Sequence, residues 1–221
     1  MDTQAGTPLG PPLGPLEKRV LGVLVEKALA TPDYYPLTVN AIVAACNQKN
    51  NRDPEMHLEQ GEVERTLRSL AENRWVAEAD HSARVVRWRH RVSENLKVGV
   101  GVQAILAELL LRGPQQPGEL RTRACRMSNI ETMEEMTKLL DAMTSNDPPL
   151  ATRYPRIPGE RFDRYGQTLG ADAPLPAAQA SAPPAEEASL LERVTRLEQE
   201  VQELRAALAA LRPAPPPQAG E

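Results

Sequence analysis

The segment that decides the fold runs over residues 59–92 and reads EQGEVERTLRSLAENRWVAEADHSARVVRWRHRV. Its first part predicts a helix, because apolar residues recur at helical spacing on one inner side: Val63, Leu67, Leu70 and Ala71. Two stretches with β-forming residues follow, WVAEA and RVVRWRHRV, and the turn DHSA joins them into a predicted hairpin. A helix that leads into a two-stranded hairpin is the order that ends a winged-helix domain.

Two more helices are predicted upstream of this segment. The stretch LEKRVLGVLVEKALATP carries apolar residues at helical spacing and ends at Pro32. In YYPLTVNAIVAACN, Thr38 is a plausible N-cap, and one helical stripe follows it: Val39, Ile42, Val43 and Cys46. Three helices and a hairpin predict a first winged-helix domain over residues 15–95.

The same order of elements recurs in the next part of the chain. The segments VQAILAELLLRGP, QPGELRTRACRM and ETMEEMTKLLDAMTS match the three helices. PLATRYPRIPGERFDRY supplies a second hairpin that turns at Pro158 and Gly159. The sequence therefore predicts a mainly α fold with small β-hairpins (α+β), in which residues 96–170 form a second winged-helix domain in tandem with the first.

The ends of the chain differ in composition from these domains. Residues 1–14 are rich in Gly and Pro and predict a flexible leader, and residues 171–188 are an Ala and Pro linker. Residues 189–212 predict a coiled-coil helix, followed by a disordered tail over 213–221. The heptad positions that would join two chains into a homodimer are Leu190, Val194, Leu197, Val201, Leu204, Leu208 and Leu211. A solitary amphipathic helix, or one docked on its own domains, stays an open alternative.

Composition excludes several classes of function. Residues 1–170 hold 22 Lys and Arg against 22 Asp and Glu, and the remaining 4 and 8 lie in the C-terminal part. Cys46 and Cys125 have no metal-ligand spacing and are interpreted as two core thiols in a reducing compartment. We find no membrane span, signal pattern, catalytic arrangement or glycine-rich phosphate loop. The expectation is a cytoplasmic protein that is not an enzyme and uses no cofactor.

Three long strings carry a resemblance to a known family: TPDYYPLTVNAIVAACNQKNNRDP, SARVVRWRHR and LLLRGPQQPGELRTRA. They resemble the bacterial YceH family, a group described as a domain of unknown function, over about residues 15–170. The resemblance implies two tandem winged-helix domains, which agrees with the pattern of elements. It implies no activity and no ligand site.

Winged helices commonly place their third helix in the major groove of DNA and their hairpin on the adjacent backbone. In the first domain the outward face of that helix is mixed in charge, whereas in the second it is acidic and would repel phosphate. The candidate nucleic-acid contacts are Gln48, Lys49, Arg52, Arg65, Arg68, Arg87, Arg89 and Arg91.

Two interpretations of these contacts stay open. The string NQKNNR, residues 47–52, lies in the turn of the helix-turn-helix, where its side chains would contact DNA or would cap helix ends and bond to the backbone. The arginine row of the hairpin suits phosphate, and it suits acidic protein partners or neighbouring glutamates equally well. A DNA-associated regulator is therefore the leading hypothesis, and a protein-interaction scaffold with an unidentified partner is the alternative.

Overall fold

A computed structural model describes residues 11–79, 85–156 and 159–170, all of which lie in one compact unit, Met1–Leu175. The predicted linker, coiled coil and tail fall outside the described residues, as do residues 1–10 of the predicted leader. The seven dimerisation positions therefore stay a prediction. The described part is a mixed α/β structure with seven α-helices and two small antiparallel sheets.

The first half of the described chain holds three helices and a three-stranded sheet. Its elements in chain order are α1 (Pro15–Ala30), a 3-10 helix (Pro32–Tyr34), β1 (Leu37–Thr38), α2 (Val39–Cys46), α3 (Gln60–Glu72), β2 (Val76–Glu78) and β3 (Arg87–His90). The strands lie in the order β1-β3-β2, with Leu37 opposite Trp88 and Val76 opposite His90. The sequence did not reveal β1, because two residues are too few to show the alternation that predicts a strand.

The second half repeats this order of elements. A short helix, α4 (Val92–Leu96), connects to α5 (Val100–Arg112), α6 (Pro117–Ala124), α7 (Met133–Ser145), β4 (Ala151–Tyr154) and β5 (Arg164–Gln167). The last two strands form an antiparallel hairpin. Gln115 makes an isolated bridge to Tyr165, and it stands between the first and second helices of this half as β1 does in the first.

The helix starts follow the local chemistry of the chain. The hydroxyl of Thr38 accepts from the backbone N–H of Ala41, which confirms the predicted cap of α2. Thr132 and Glu135 form a capping box at the start of α7, where each side chain satisfies a backbone N–H of the other residue.

One hydrophobic core runs through both halves of the described chain. Helices α1 and α5 approach closely at Gly22, where an added Cβ would lie 3.0 Å from the Cβ of Leu110 and from side-chain atoms of Leu111. Glycine is needed there because the neighbouring helix occupies the space of a side chain. The helices therefore meet along a tightly packed line, and the two halves share it.

Two residues lie elsewhere than the sequence suggested. Leu13, within the predicted leader, is buried, and its N–H donates to the carbonyl oxygen of Leu169 at 2.7 Å. Cys46 is buried as predicted, but Cys125 is exposed at the end of α6, so its interpretation as a core thiol is wrong. Among the described helices, none has the length and apolar character required to cross a membrane.

Candidate functional site

The loop between α2 and α3 is held to the rest of the protein by its own polar groups. The amide of Asn47 accepts from the N–H of Leu58 at 2.7 Å and donates to its carbonyl oxygen at 2.9 Å. Asn51 adopts a positive φ of 62° and accepts a hydrogen bond from Arg112 at the end of α5. The N–H of Asp53 donates to the carbonyl oxygen of Leu111 at 2.9 Å. This loop therefore fastens the first half of the chain to α5.

Arg52 is the buried centre of the loop and is only 5% exposed. Its Nε and Nη1 donate to the carbonyl oxygens of Ala45 and Asn51, at 3.1 Å and 2.7 Å. Its two Nη atoms also donate to the carboxylate of Glu26, at 3.4 Å and 2.6 Å, and Nη2 donates to Oε1 of Gln48 at 3.2 Å. All five N–H groups of the guanidinium thus have acceptors inside the protein. The structure corrects the prediction of Arg52 as a nucleic-acid contact, because no donor remains for an outside phosphate.

Further charged residues connect the pair of Glu26 and Arg52 to Glu108 of α5. Nη2 of Arg126 lies 3.1 Å from Oε1 of Glu26 and 2.8 Å from Oε1 of Glu108. Arg112 places its Nε 3.4 Å from the other oxygen of Glu108. We name this cluster the ionic seam: Glu26, Arg52, Glu108, Arg112 and Arg126.

The electrostatics of Glu26 follow from this surrounding. Burial raises the pKa of Glu26, but the hydrogen bonds and charge of Arg52, and then the charges of Lys27 and Arg126, outweigh it. The pKa of Glu26 therefore stands below its ordinary value, and the carboxylate is ionised at neutral pH. An ionised carboxylate at this depth needs its cationic partners.

The exposed face of α3 contrasts with this interior. Arg65 and Arg68 both lie at the surface, one helical turn apart. Arg68 comes within 3.9 Å of Glu64, a distance typical of a weak surface pair. Glu62 is occupied with the N–H of Glu59, at 2.8 Å, in the capping box of the helix.

Some of the candidate contacts in the loop and in β3 are exposed, and others form ion pairs within the protein. Lys49 and Gln48 are exposed, and Arg87 is exposed with Nη1 donating to the carbonyl oxygen of Pro36 at 2.9 Å. Arg89 and Arg91 both bind Glu94 of α4. The predicted arginine row of the hairpin, Arg87, Arg89 and Arg91, is thus offset in part by one carboxylate that the sequence analysis had not connected with it.

Strand β3 is anchored from its inner side. Trp88 is buried, as the alternation of the strand predicted. The N–H of His90 donates to the hydroxyl oxygen of Tyr35 at 2.5 Å. Burial is the main reason that the pKa of Tyr35 rises to about 12 and that of His90 falls to about 4.

A groove of about 290 Å³ lies where α3 meets the sheet. Its apolar lining comes from Val39, Leu67, Val86 and Trp88, and its polar lining comes from Glu64, Arg68 and Glu78. Arg68 and Val86 therefore border the same space. The helix and the hairpin of the first half present adjacent surfaces.

The equivalent helix of the second half is acidic, as the sequence predicted. The exposed residues of α7 include Glu134, which pairs with Lys138 at 2.7 Å. Within the ranges that the structure describes, no group of three His, Cys, Asp or Glu side chains is placed to hold a metal ion.

The sequence analysis did not identify Glu26 and Glu108 as a pair. The internal repeat contained the signal, because VLVEKAL in α1 and ILAELLL in α5 carry glutamate at the same place in an otherwise apolar stretch. A glutamate among apolar residues at the same place in both halves of a repeat suggests a buried carboxylate that needs a partner.

The described part of the chain thus combines seven α-helices and two small sheets with exposed cations on α3 and a buried ionic seam. Comparison with known proteins gives the family. Residues 13–160 match the family described as "Protein of unknown function, DUF480", and the chain belongs to this family. The YceH label and the tandem winged-helix description of the earlier resemblance stay predictions.

Relatives cover nearly the whole chain. A UPF0502 protein of Geobacter sulfurreducens is 47% identical over 194 residues, which are 86% of this chain and 88% of the relative. A UPF0502 protein of Mesorhizobium japonicum is 44% identical over 203 residues, 91% of this chain and 97% of that protein. A UPF0502 protein of an Azoarcus species is 43% identical over 220 residues, 97% and 96% of the two chains.

Proposed function

We propose that the chain is a DNA-associated protein of the transcription-regulator type, built from two tandem winged-helix domains. The order of elements supports this arrangement. In both halves a first helix leads to a short β segment, two further helices and a hairpin, with β1 and Gln115 in the corresponding places. In both halves that short segment pairs with the last strand of the half, β3 or β5, which would close each winged-helix sheet.

The contacts would be made by the first domain, through Lys49, Arg65, Arg68 and Arg87, with Gln48 beside them. The observation that carries the proposal is the exposed face of α3, where Arg65 is free of ion pairs among the described residues and Arg68 borders the groove shared with the hairpin. Helix and hairpin on one side suit a groove and its adjacent backbone. Because α7 is acidic and would repel phosphate, the second domain would bind DNA less well than the first.

Two copies would be held together by the heptad positions of residues 189–212. A two-fold dimer presents two first domains, and paired domains favour paired half-sites in the DNA. Binding would consist mainly of backbone neutralisation, with no chemical reaction and no cofactor.

Fluorescence anisotropy of the full-length protein with mixed genomic duplexes, titrated over salt concentration, tests the proposal. Three or four phosphate contacts per domain predict a slope of log affinity against log salt of about −3 per domain, shallower than for a strongly basic protein. Arg65→Glu together with Arg87→Glu should abolish binding. Lys138→Glu, a single charge reversal on α7, should leave the affinity unchanged.

The absence of binding at low salt would overturn the DNA proposal. So would a double reversal that binds as tightly as the Lys138→Glu control.

A protein-interaction scaffold is the second candidate, and the groove between α3 and the sheet favours it. Val85 and Val86 are exposed beside that groove, by 56% and 44%, and large exposed apolar patches mark interaction sites. A partner recovered with the wild-type protein and lost with Val86→Asp, which leaves the α3 cations intact, would support this function. Equal recovery with both proteins would exclude the groove as its site.

A further inference from the structure

The ionic seam, together with the neighbouring Lys27, contains more positive than negative charge. Glu26 is approached by Lys27 at 3.6 Å and by Arg52 and Arg126, while Glu108 is approached by Arg112 and Arg126. Four cations therefore face two carboxylates. The two carboxylates are almost completely buried, so water cannot screen the excess charge well.

Neighbouring arginines add to this excess. Arg19 is buried and donates to the carbonyl oxygens of Cys46, at 3.0 Å, and Pro54, so its contacts supply no counter-charge. Burial, and then the charge of Arg123, lower the pKa of Arg112, with smaller contributions from Arg126 and Arg52. Cations that repel one another in a partly buried place are stabilised by an anion.

The seam also retains donors that its own carboxylates do not use. Arg126 uses only Nη2 for its two carboxylates, and its Nε and Nη1 have no acceptor among the described residues. Arg112 uses Nη2 for Asn51, and its Nη1 likewise has no acceptor there. The two side chains are 38% and 19% exposed, so a small anion can reach both.

We propose that the ionic seam binds a small phosphoryl anion, of the inorganic phosphate or pyrophosphate type, between Arg112 and Arg126. A guanidinium fork matches phosphate oxygens in geometry, and both arginines contact the same carboxylate of Glu108. The bound anion balances the surplus charge and links α5 to the segment after α6. The site is independent of the proposed DNA contacts on α3.

The experiment uses the full-length protein with inorganic phosphate and with pyrophosphate, in calorimetric titration and in thermal unfolding. Each anion is compared with potassium chloride at equal ionic strength. The expected result is a saturable binding isotherm and a rise in Tm that chloride does not reproduce. Arg126→Gln should weaken the affinity at least about tenfold, because a charge-assisted hydrogen bond contributes about 1.5–3 kcal/mol. Arg153→Gln, which alters an exposed arginine paired with Asp163, should not.

Equal effects of chloride and phosphate would overturn the proposal, as would an unchanged affinity of Arg126→Gln. If that variant does not fold, Arg126→Lys keeps the charge, removes the fork and should still weaken binding. The same variants in the DNA titration separate the two proposals. If Arg126→Gln binds DNA normally but no longer binds pyrophosphate, both the anion site and the DNA contacts on α3 are supported. A failure of the anion site would not bear on the DNA contacts, and a failure of DNA binding would not bear on the anion site.

Discussion

The loop at residues 47–54 and the exposed face of α3 look alike as sequence, and the fold gives them opposite roles. Both are polar, both carry arginine, and both belong to the segment that the sequence predicts to be a helix-turn-helix. Arg52 is 5% exposed and has all its donors bound inside the protein, whereas the side chain of Arg68 is 70% exposed. The difference shows that tertiary contacts decide whether an arginine is buried in an ion pair or exposed. The carboxylate that binds Arg52 belongs to Glu26, which lies 26 positions away along the chain.

The energetic consequences of the two environments also differ. A buried ion pair that loses one partner leaves an uncompensated charge in the interior, at a cost of about 3–5 kcal/mol. A surface pair such as Glu64 and Arg68 contributes about 0–1 kcal/mol, because water solvates both groups. Four comparisons between interior and surface positions test this contrast.

The largest difference is expected between Arg52→Met and Arg65→Met. The first removes the main partner of Glu26 and should lower the free energy of unfolding by about 3–5 kcal/mol. The second alters an exposed residue that has no ion pair within the described part of the chain, and it should change the free energy of unfolding by less than about 0.5 kcal/mol. Urea unfolding followed by circular dichroism measures both. Equal losses would show that the seam does not stabilise the fold more than the α3 face does.

A second pair replaces glycine by valine in each region. In Gly22→Val the added atoms meet Leu110 and Leu111 of α5, so the free energy of unfolding should fall by roughly 1–3 kcal/mol. In Gly61→Val on α3 a Cβ meets nothing within 4 Å, so the change should stay below about 0.5 kcal/mol. Thermal unfolding of both variants checks this. A neutral Gly22→Val would contradict the close packing of α1 on α5.

Acid unfolding should distinguish the carboxylates of the two regions. The folded-state pKa of Glu26 lies below the ordinary value of 4.5, so the stability that it contributes is complete above that value. It is lost as the pH falls from about 4.5 through the lowered folded-state pKa. Glu26→Gln should therefore reduce the stability at neutral pH and flatten its decline over this acid range. Glu64→Gln should leave both nearly unchanged, and a parallel decline in the two variants would be inconsistent with the buried pair.

The smallest effect concerns thiol reactivity rather than stability. Burial raises the pKa of Cys46 to about 12, although the charges of Arg19 and Arg52 partly oppose it. Cys125 is exposed. A thiol reagent at pH 8 should modify one cysteine per chain rapidly in the wild-type protein and none in Cys125→Ser. Modification of the second thiol should require unfolding, and rapid reaction of both would contradict the burial of Cys46.

The long helices could be predicted from the sequence because their evidence is local. The apolar stripe of α3 and the cap at Thr38 each lie within a few positions of the chain. Strand β1 and the bridge at Gln115 could not be predicted in this way, because a segment of one or two residues becomes β structure only when β3 or Tyr165 lies beside it. Their existence depends on the folded chain.

The candidate contacts were predictable only in part. The exposure of Arg65 and Arg68 followed from the helical period, since the opposite side of α3 is apolar. The pairing of Arg89 and Arg91 with Glu94 could not be predicted, because Glu94 lies in α4, a helix that the sequence analysis did not recognise.

The sequence by itself determined the repeated order of helices and hairpins, since periodicity, caps and turns act over a few residues. Only the tertiary structure decided which charges lie inside the protein. Arg126 meets Glu26 across 100 positions of the chain, and Arg112 meets Asn51 across 61. No local pattern records such a meeting, because it arises when α5 packs against α1 and excludes water from the carboxylates between them.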